Sequence, residues 1–170
     1  MAEEFSDERE AIKNPSTIES AAIVFPNPDH LQYSADKAVA EKLAEGNSAV
    51  IAAIDGVGSG DEDSEKAAEL MQRQLISLRS SVISPPSVNE GLALLKKSII
   101  QASTEIKNLQ ERSKNRNADT TVSAGIVCNS KDGKSKIMAI ANVGDSRIYK
   151  YSPKKAELTQ LTRDQSQLTI

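Results

Sequence analysis

The residues best suited to bind a ligand or take part in a reaction are an acid and a glycine at the end of an apolar run. Residues 49–54 are continuously apolar, and Asp55 and Gly56 follow them directly. A short apolar run is typical of a β-strand that is covered on both faces. A carboxylate at the end of such a strand is costly to bury unless a positive group meets it.

A hard divalent cation, Mn²⁺ or Mg²⁺, is a suitable partner for Asp55, because such ions bind carboxylate, carbonyl and water oxygens. Gly56 would let the backbone approach the ion closely. The alternative interpretation is that Asp55 caps a turn by accepting hydrogen bonds from nearby backbone amides. The dipeptide by itself favours the capped turn.

Three known binding loops are similar to the glycine-rich segment after Asp55, and none of them matches it. A dinucleotide-binding loop requires its third glycine where Asp61 stands, and a P-loop requires a Gly-Lys-Ser or Gly-Lys-Thr sequence that does not follow. An EF-hand loop that began at Asp55 would fail at Val57 and Lys66, where oxygen ligands belong. The segment is therefore not a nucleotide or calcium loop of these types.

A second carboxylate stands at a predicted strand end. Residues 141–147 read Ala-Asn-Val-Gly-Asp-Ser-Arg, so Gly144 and Asp145 form a tight corner between two strands. Asp145 is thereby a second candidate ligand for a cation. The alternative is an ordinary hairpin corner with a surface pair between Asp145 and Arg147, worth about 0–1 kcal/mol.

Two helices and a series of strands must position these acids. The spacing of apolar residues predicts one helix that ends before Pro85 and a second that begins at a capping box formed by Ser87 and Glu90. Candidate strands span 21–25, 49–54, 120–128, 136–143, 147–151 and 156–161, and residues 36–44 fit either a strand or a short helix. Short turns between the later strands are typical of an antiparallel meander. The predicted class is α+β, with two helices packed on an antiparallel sheet.

Composition excludes several classes of protein. The 170-residue chain has a net charge of −3, only 3% aromatic residues and no basic stripe, so no nucleic-acid partner is expected. No apolar run approaches the roughly 20 residues that span a bilayer, and no signal peptide is present, so the prediction is a cytoplasmic protein without a membrane segment. Cys128 and His30 are the sole residues of their types, which excludes an internal disulfide and a multi-histidine metal site.

The order of the motifs resembles the metal-dependent protein phosphatases of type 2C over roughly residues 17–170. Two segments are specific signals: the one at 141–147, and the Leu-Thr-Arg-Asp-x-Ser segment at 161–166. The Asp-Gly-x-Gly segment that starts at Asp55 is a weaker signal. Asp36 and residues 119–121 stand in the expected order between these motifs.

This resemblance implies an antiparallel β-sandwich of two sheets flanked by helices. It also implies hydrolysis of phosphoserine and phosphothreonine in a phosphorylated protein substrate, through a water that Mn²⁺ or Mg²⁺ ions activate. By the same resemblance, Asp36 and Asp55 are catalytic: Asp55 would bridge two metal ions, and Asp36 would contact metal-bound water. The resemblance also makes the carbonyl of Gly56 a metal ligand and Asp145 a ligand of a weaker third metal. The residues expected to form the scaffold around them are Thr120, Thr121, Ser146 and Arg147.

The sequence departs from the family pattern at several positions. Leu31 stands where the family has an arginine that grips the substrate phosphate, and Ser34 and Ala35 replace an Asn-Glu pair. Val57 stands where some members carry a histidine. The last two metal-binding aspartates of the family would fall beyond Ile170.

Residues 1–14 are charged and show no clean periodicity, so we expect a mobile acidic tail, with a frayed helix as the alternative. Residues 15–170 are expected to form a type 2C phosphatase-like domain that stops before the last metal-binding motifs. The sandwich would then be incomplete at its C-terminus, and unpaired strand edges would favour self-association. Two functional hypotheses remain: a metal-dependent protein serine/threonine phosphatase, or a catalytically inactive phosphatase-like module that binds a phosphoprotein or regulator.

Overall fold

The computed structural model of the protein describes residues 18, 20–22, 24, 35–57, 62–113, 118–130 and 134–165. The strands are β1 (Lys37–Leu43), β2 (Ser48–Val57), β3 (Asp119–Asn129), β4 (Lys136–Val143), β5 (Tyr149–Ser152) and β6 (Glu157–Gln160). The helices are α1 (Glu62–Ile76), α2 (Leu78–Ser81) and α3 (Val88–Arg112). The α+β class with an antiparallel sheet is confirmed, and the ambiguous segment before Gly46 is the strand β1.

The strands form two separate antiparallel sheets among the described residues. The larger sheet has the order β1-β2-β3-β4, and β5 pairs with β6 alone. The meander predicted from the short turns therefore breaks at the step from β4 to β5, and two antiparallel sheets are present, as the family resemblance implies. Gly144, which has a φ of +101°, turns the chain away from β4 at this point.

The helices pack on one face of the larger sheet because its strands present alternate apolar residues to that side. The buried cluster draws on strand residues such as Val50, Ile54, Val122 and Ile126 and on the apolar stripes of the helices. Helix α3 contributes Leu95, whose side chain is completely buried. The core is therefore built mainly from Ile, Leu, Val and Ala, in keeping with the aliphatic composition of the chain.

Helix α3 begins where the sequence predicts. The Ser87 hydroxyl accepts a hydrogen bond from the Glu90 backbone N–H at 3.3 Å, and the Glu90 carboxylate accepts one from the Ser87 N–H at 2.8 Å. This reciprocal arrangement satisfies backbone donors that the first turn leaves open, so the capping box is confirmed.

The predicted first helix is interrupted, because it ends at Ile76 and resumes as α2 only after Ser77. The Ser77 hydroxyl donates to the Gln74 carbonyl oxygen at 2.7 Å, and such local side-chain bonds compete with continued helix. Helices α1 and α3 are antiparallel, as predicted, since Gln74 near the end of α1 donates to Glu105 and Asp63 near its start accepts from Ser113.

Several predictions fall on residues outside the described part of the chain. These include the acidic tail over residues 1–14 and the positions of His30 and Leu31. Within the candidate strand 21–25, the described residues 21, 22 and 24 lie outside any strand. No helix in the described ranges combines the length and the apolar character needed to cross a membrane.

Candidate functional site

The register of β1 and β2 places two acids opposite each other at one end of the sheet. Lys37 pairs with Ile54, and the Gly56 N–H donates to the Ala35 carbonyl oxygen at 3.1 Å. Continuing this antiparallel register places Asp36 across from Asp55, close enough for the Asp36 side chain and its charge to raise the pKa of Asp55. Like charges directly opposite each other on neighbouring strands repel, so this arrangement is destabilising on its own.

A third acid lies close enough to act on this pair. Asp145 follows β4, and its negative charge contributes to the electrostatic environment of Asp55. Partial burial of Asp55 is the largest of the effects that raise its pKa above the ordinary value of 3.8, followed by the hydrogen bond with Asp36 and then by the charges of Asp36 and Asp145. The structure therefore places Asp36 next to Asp55, and Asp145 near enough for its charge to act on Asp55.

Asp36 and Asp55 face a small open cavity. It has a volume of about 300 Å³, and its lining includes Asp36, Asp55 and Ser146 together with Val24, Ala38 and Ala53. Asp55 is exposed on this side, so burial affects only part of its carboxyl group. The cavity can admit water and a small polar group next to the carboxylates.

Gly56 is required here for packing as well as for any ligand role. A Cβ at this position would lie 2.7 Å from the Ser64 carbonyl oxygen and 2.8 Å from the Ala35 side chain. The end of β2 therefore passes too close to the first turn of α1 for any larger residue. Its role as a carbonyl ligand stays a prediction.

The corner that carries Asp145 is fixed by a glycine and by strand β3. Gly144 has a positive φ, and an added Cβ would approach the side chain of Thr121 to 2.7 Å. The hydroxyl groups of Thr121 and Ser146 are hydrogen-bonded at 2.8 Å, and the Ser123 hydroxyl donates to the Ser146 carbonyl oxygen at 2.7 Å. Thr121, which pairs with Asp55 across β2 and β3, thus connects the two acidic strand ends.

Arg147 has a different partner from the one that the hairpin interpretation supposes. Its guanidinium donates to both oxygens of Asp164, with Nε–Oδ1 at 2.8 Å and Nη2–Oδ2 at 2.5 Å. The hydrogen bonds from Arg147 lower the pKa of Asp164, and the same pair raises the pKa of Arg147. Asp145 is therefore left to interact with Asp55 instead of with Arg147.

The donor types fit a hard divalent cation, although the described residues do not surround one. Carboxylates and a backbone carbonyl are the ligands that Mg²⁺ and Mn²⁺ prefer, and Mg²⁺ often keeps several waters beside one or two carboxylates. Within the described ranges, no group of three or more His, Cys, Asp or Glu side chains is arranged to hold an ion unaided. A bound ion would consequently depend on water and on further ligands.

The sequence analysis did not identify Ser123, a residue of β3 that supports the Asp145 corner. Its hydroxyl lies against the Asn142 side-chain oxygen, and the Asn142 amide donates to the carbonyl oxygens of Gly144 and Arg163, both at 3.2 Å. A signal was present in the sequence, because Ser123 is a polar residue between the apolar residues Val122 and Ala124 and is almost completely buried.

Comparison with solved structures identifies the architecture. A bacterial serine phosphatase with an arginine-to-glutamate mutation matches with a TM-score of 0.69 at 18% identity, over 89% of this chain and 63% of that one. The bacterial serine phosphatase without that mutation matches with a TM-score of 0.59 at 19% identity, over 78% of this chain and 50% of that one. The chain thus shares its fold with these bacterial proteins. The chain spans about half to two thirds of the length of these relatives.

The family follows from the sequence itself. The model of the family described as Protein phosphatase 2C matches residues 28–167. The chain belongs to the protein phosphatase 2C family, and the predicted membership is confirmed. A search of curated proteins finds no match.

The electrostatic arrangement predicts how Asp55 affects stability when divalent cations are absent. Its pKa is raised in the folded chain, so the folded state holds this proton more tightly than the unfolded state. Stability is then lost as pH rises from about 4, the unfolded value, through the folded pKa. Asp55→Asn should therefore unfold at higher urea concentration than the original chain at pH 7 in EDTA, with the difference shrinking toward pH 4.

The matched control for this measurement is Glu157→Gln, which removes an exposed carboxylate on β6. Its midpoint should follow that of the original chain at every pH. An Asp55→Asn variant that is equally destabilised at pH 4 and pH 7 would contradict the assignment of repulsion to this acidic group.

Proposed function

We propose that this chain is part of a metal-dependent protein serine/threonine phosphatase. The observation that carries the proposal is the pair Asp36 and Asp55 at one cavity, with Asp145 near enough for its charge to act on Asp55, in a chain of the protein phosphatase 2C family. Acids that repel one another in the absence of a cation are stabilised when a cation is bound between them. The proposed substrate is a protein that carries phosphoserine or phosphothreonine.

Each residue of the proposed site has a distinct task. Asp55, the carbonyl of Gly56 and Asp145 would hold Mn²⁺ or Mg²⁺. A divalent cation bound there supplies positive charge for phosphoryl oxygens and lowers the pKa of water. Asp36 lies in the lining of the cavity, where its carboxylate would accept a hydrogen bond from water and orient it. Thr121 and Ser146 would keep Asp55 and Asp145 in position.

A second candidate function is the inactive module that binds a phosphoprotein. The observation that favours it is that, in the part of the chain that the structure describes, the two basic side chains nearest in sequence to the acids are already paired. Lys37 donates to Glu65 at 2.9 Å, and Arg147 binds Asp164. Neither is free to grip a phosphate, and the family arginine is replaced by Leu31. A phosphoserine peptide that binds without being hydrolysed would support this alternative.

Manganese should stabilise the fold if the acids form a metal site. Ligand binding raises stability by RT ln(1 + [L]/Kd), which is about 2.7 kcal/mol at a hundredfold excess over Kd. With few carboxylate ligands we expect millimolar affinity and a rise in melting temperature with Mn²⁺. The Asp55→Asn variant should lose the rise, and Glu157→Gln should keep it. If the melting temperature of the original chain does not change in tens of millimolar Mn²⁺ or Mg²⁺, the proposed metal site is wrong.

Self-association is expected through the edges of the larger sheet and through its face that points away from the helices. Within the described strands, β1 and β4 each have a neighbour on one side only. On the open face, Ile51, Ala53 and Ile148 contribute to a largely apolar cavity of about 350 Å³. Unpaired edges and exposed apolar surface favour pairing with another chain. Analytical ultracentrifugation should show dimers or larger species as concentration rises, whereas a monomer at millimolar concentration would contradict this expectation.

The decisive test of function is hydrolysis. We expect residues 1–170 to show no measurable Mn²⁺-dependent hydrolysis of p-nitrophenyl phosphate, because loss of a positioned charge contact typically costs orders of magnitude in rate. A longer chain that supplies two further aspartate ligands should be active and sensitive to EDTA, and its Asp55→Asn variant should be inactive.

A cytoplasmic location stays a prediction that fractionation of cells can test.

For the hydrolysis assay, Glu157→Gln in the longer chain is the control and should retain its activity. Robust EDTA-sensitive turnover by residues 1–170 would mean that the site needs fewer ligands than the family pattern implies. A longer chain without turnover, but with retained binding of a phosphoserine peptide, would transfer support to the inactive module.

A further inference from the structure

Residues 161–165, none of which is assigned as a metal ligand, run alongside the corner that carries Asp145. The Leu161 N–H donates to the Ile148 carbonyl oxygen at 2.8 Å, and the Gln165 N–H donates to the Gly144 carbonyl oxygen at 2.9 Å. These two bonds lie on opposite sides of Asp145. Residues 161–165 therefore pass antiparallel to residues 144–148 and bind both ends of the corner.

Side chains reinforce this backbone contact at its centre. The Ile148 N–H donates to the hydroxyl of Thr162, which is buried, at 3.0 Å. Between the two ends, Arg147 and Asp164 form two parallel hydrogen bonds, the arrangement that gives an arginine–carboxylate pair its geometric specificity. An exposed pair adds little to global stability, so its value here is in fixing geometry.

The opposite side of the corner is held by β3. Thr121 and Ser123 both bind Ser146, and Asn142 bridges the carbonyl oxygens of Gly144 and Arg163. The backbone around Asp145 is thus held from two directions. Its carboxylate still acts on Asp55, which repels it while no cation is present.

We infer that residues 161–165 form a clasp that sets the position of Asp145 relative to Asp55, and that Asp164 is a positioning residue for the metal site. The inference rests on the proposed function, since it assigns Asp145 a role in cation binding. Without the clasp, repulsion among the acids would favour an outward shift of the corner, which would move the Asp145 carboxylate away from the position in which it would hold a cation.

The test measures Mn²⁺ affinity by electron paramagnetic resonance of free Mn²⁺ in a titration of the whole chain. Asp164→Asn keeps the shape of the side chain but weakens the pair with Arg147. Removal of groups that orient metal ligands typically lowers affinity by about 10–100-fold, and we expect a loss in that range. The double variant with Arg147→Asp and Asp164→Arg should recover part of the loss.

Two controls separate positioning from general destabilisation. Glu41→Gln breaks a second exposed arginine–carboxylate pair, in which Arg79 Nη1 lies 3.7 Å from Glu41 Oε2, and it should leave Mn²⁺ affinity unchanged. In a chain that already carries Asp145→Asn, the change Asp164→Asn should cause no further loss. If Asp164→Asn fails to fold, as judged by circular dichroism, Arg147→Lys retains the charge, removes the parallel bonds and should show a smaller loss.

Unchanged Mn²⁺ affinity in folded Asp164→Asn would overturn the clasp, and so would an equal loss in Glu41→Gln. If the original chain binds no Mn²⁺, the proposed metal site fails and the clasp is tested by hydrogen exchange. Amides of residues 144–148 should then exchange at least several-fold faster in Asp164→Asn than in the original chain or in Glu41→Gln. Equal exchange in all three would overturn the clasp independently of the metal.

Discussion

The repulsion between Asp36 and Asp55 is the constraint on which the candidate site depends. It follows from the register of β1 and β2, which the apolar pattern of those strands fixes. Val50 and Ile54 must face the helices, and a shift of one residue would turn them toward the open face. The fold therefore cannot relieve the acidic pair by sliding one strand, and the pair adds to partial burial, the largest cause, in raising the pKa of Asp55.

The two glycines of the site allow the strand ends that carry the acids to pack closely against their neighbours. Gly56 allows the end of β2 to lie against Ser64, and Gly144 allows the Asp145 corner to lie against Thr121. Thr121 is opposite Asp55 in the β2–β3 register and also bonds Ser146. One side chain on the central strand thus links both acidic strand ends, so that their separation is a property of the sheet rather than of exposed loops.

Local signals predicted much of this architecture, and contacts between distant residues account for what was missed. The capping box at Ser87 and the strands that lead to Asp55 and Asp145 depend on neighbouring residues, so they could be read from the sequence. The partner of Arg147 could not, because Asp164 is 17 residues away and reaches it only after β5 and β6 form. For the same reason, the pairing of β5 with β6 apart from β4 and the buried bonds of Ser123 could not be predicted from neighbouring residues, although the family resemblance implied two sheets. The individual roles of the acids as ligands rest on resemblance to the family.

The distribution of charge around the cavity favours a cation over a phosphate as the first group to bind. Lys37 is neutralised by Glu65 and Arg147 by Asp164, while three aspartates remain at or near the opening. A phosphate monoester that approached these described residues directly would meet net negative charge and no available guanidinium. A divalent cation reverses that sign locally and relieves the repulsion on Asp55 at the same time. Under the proposed function, metal and phosphoprotein should therefore bind with positive cooperativity, the metal creating the positive field that this chain's own side chains do not provide.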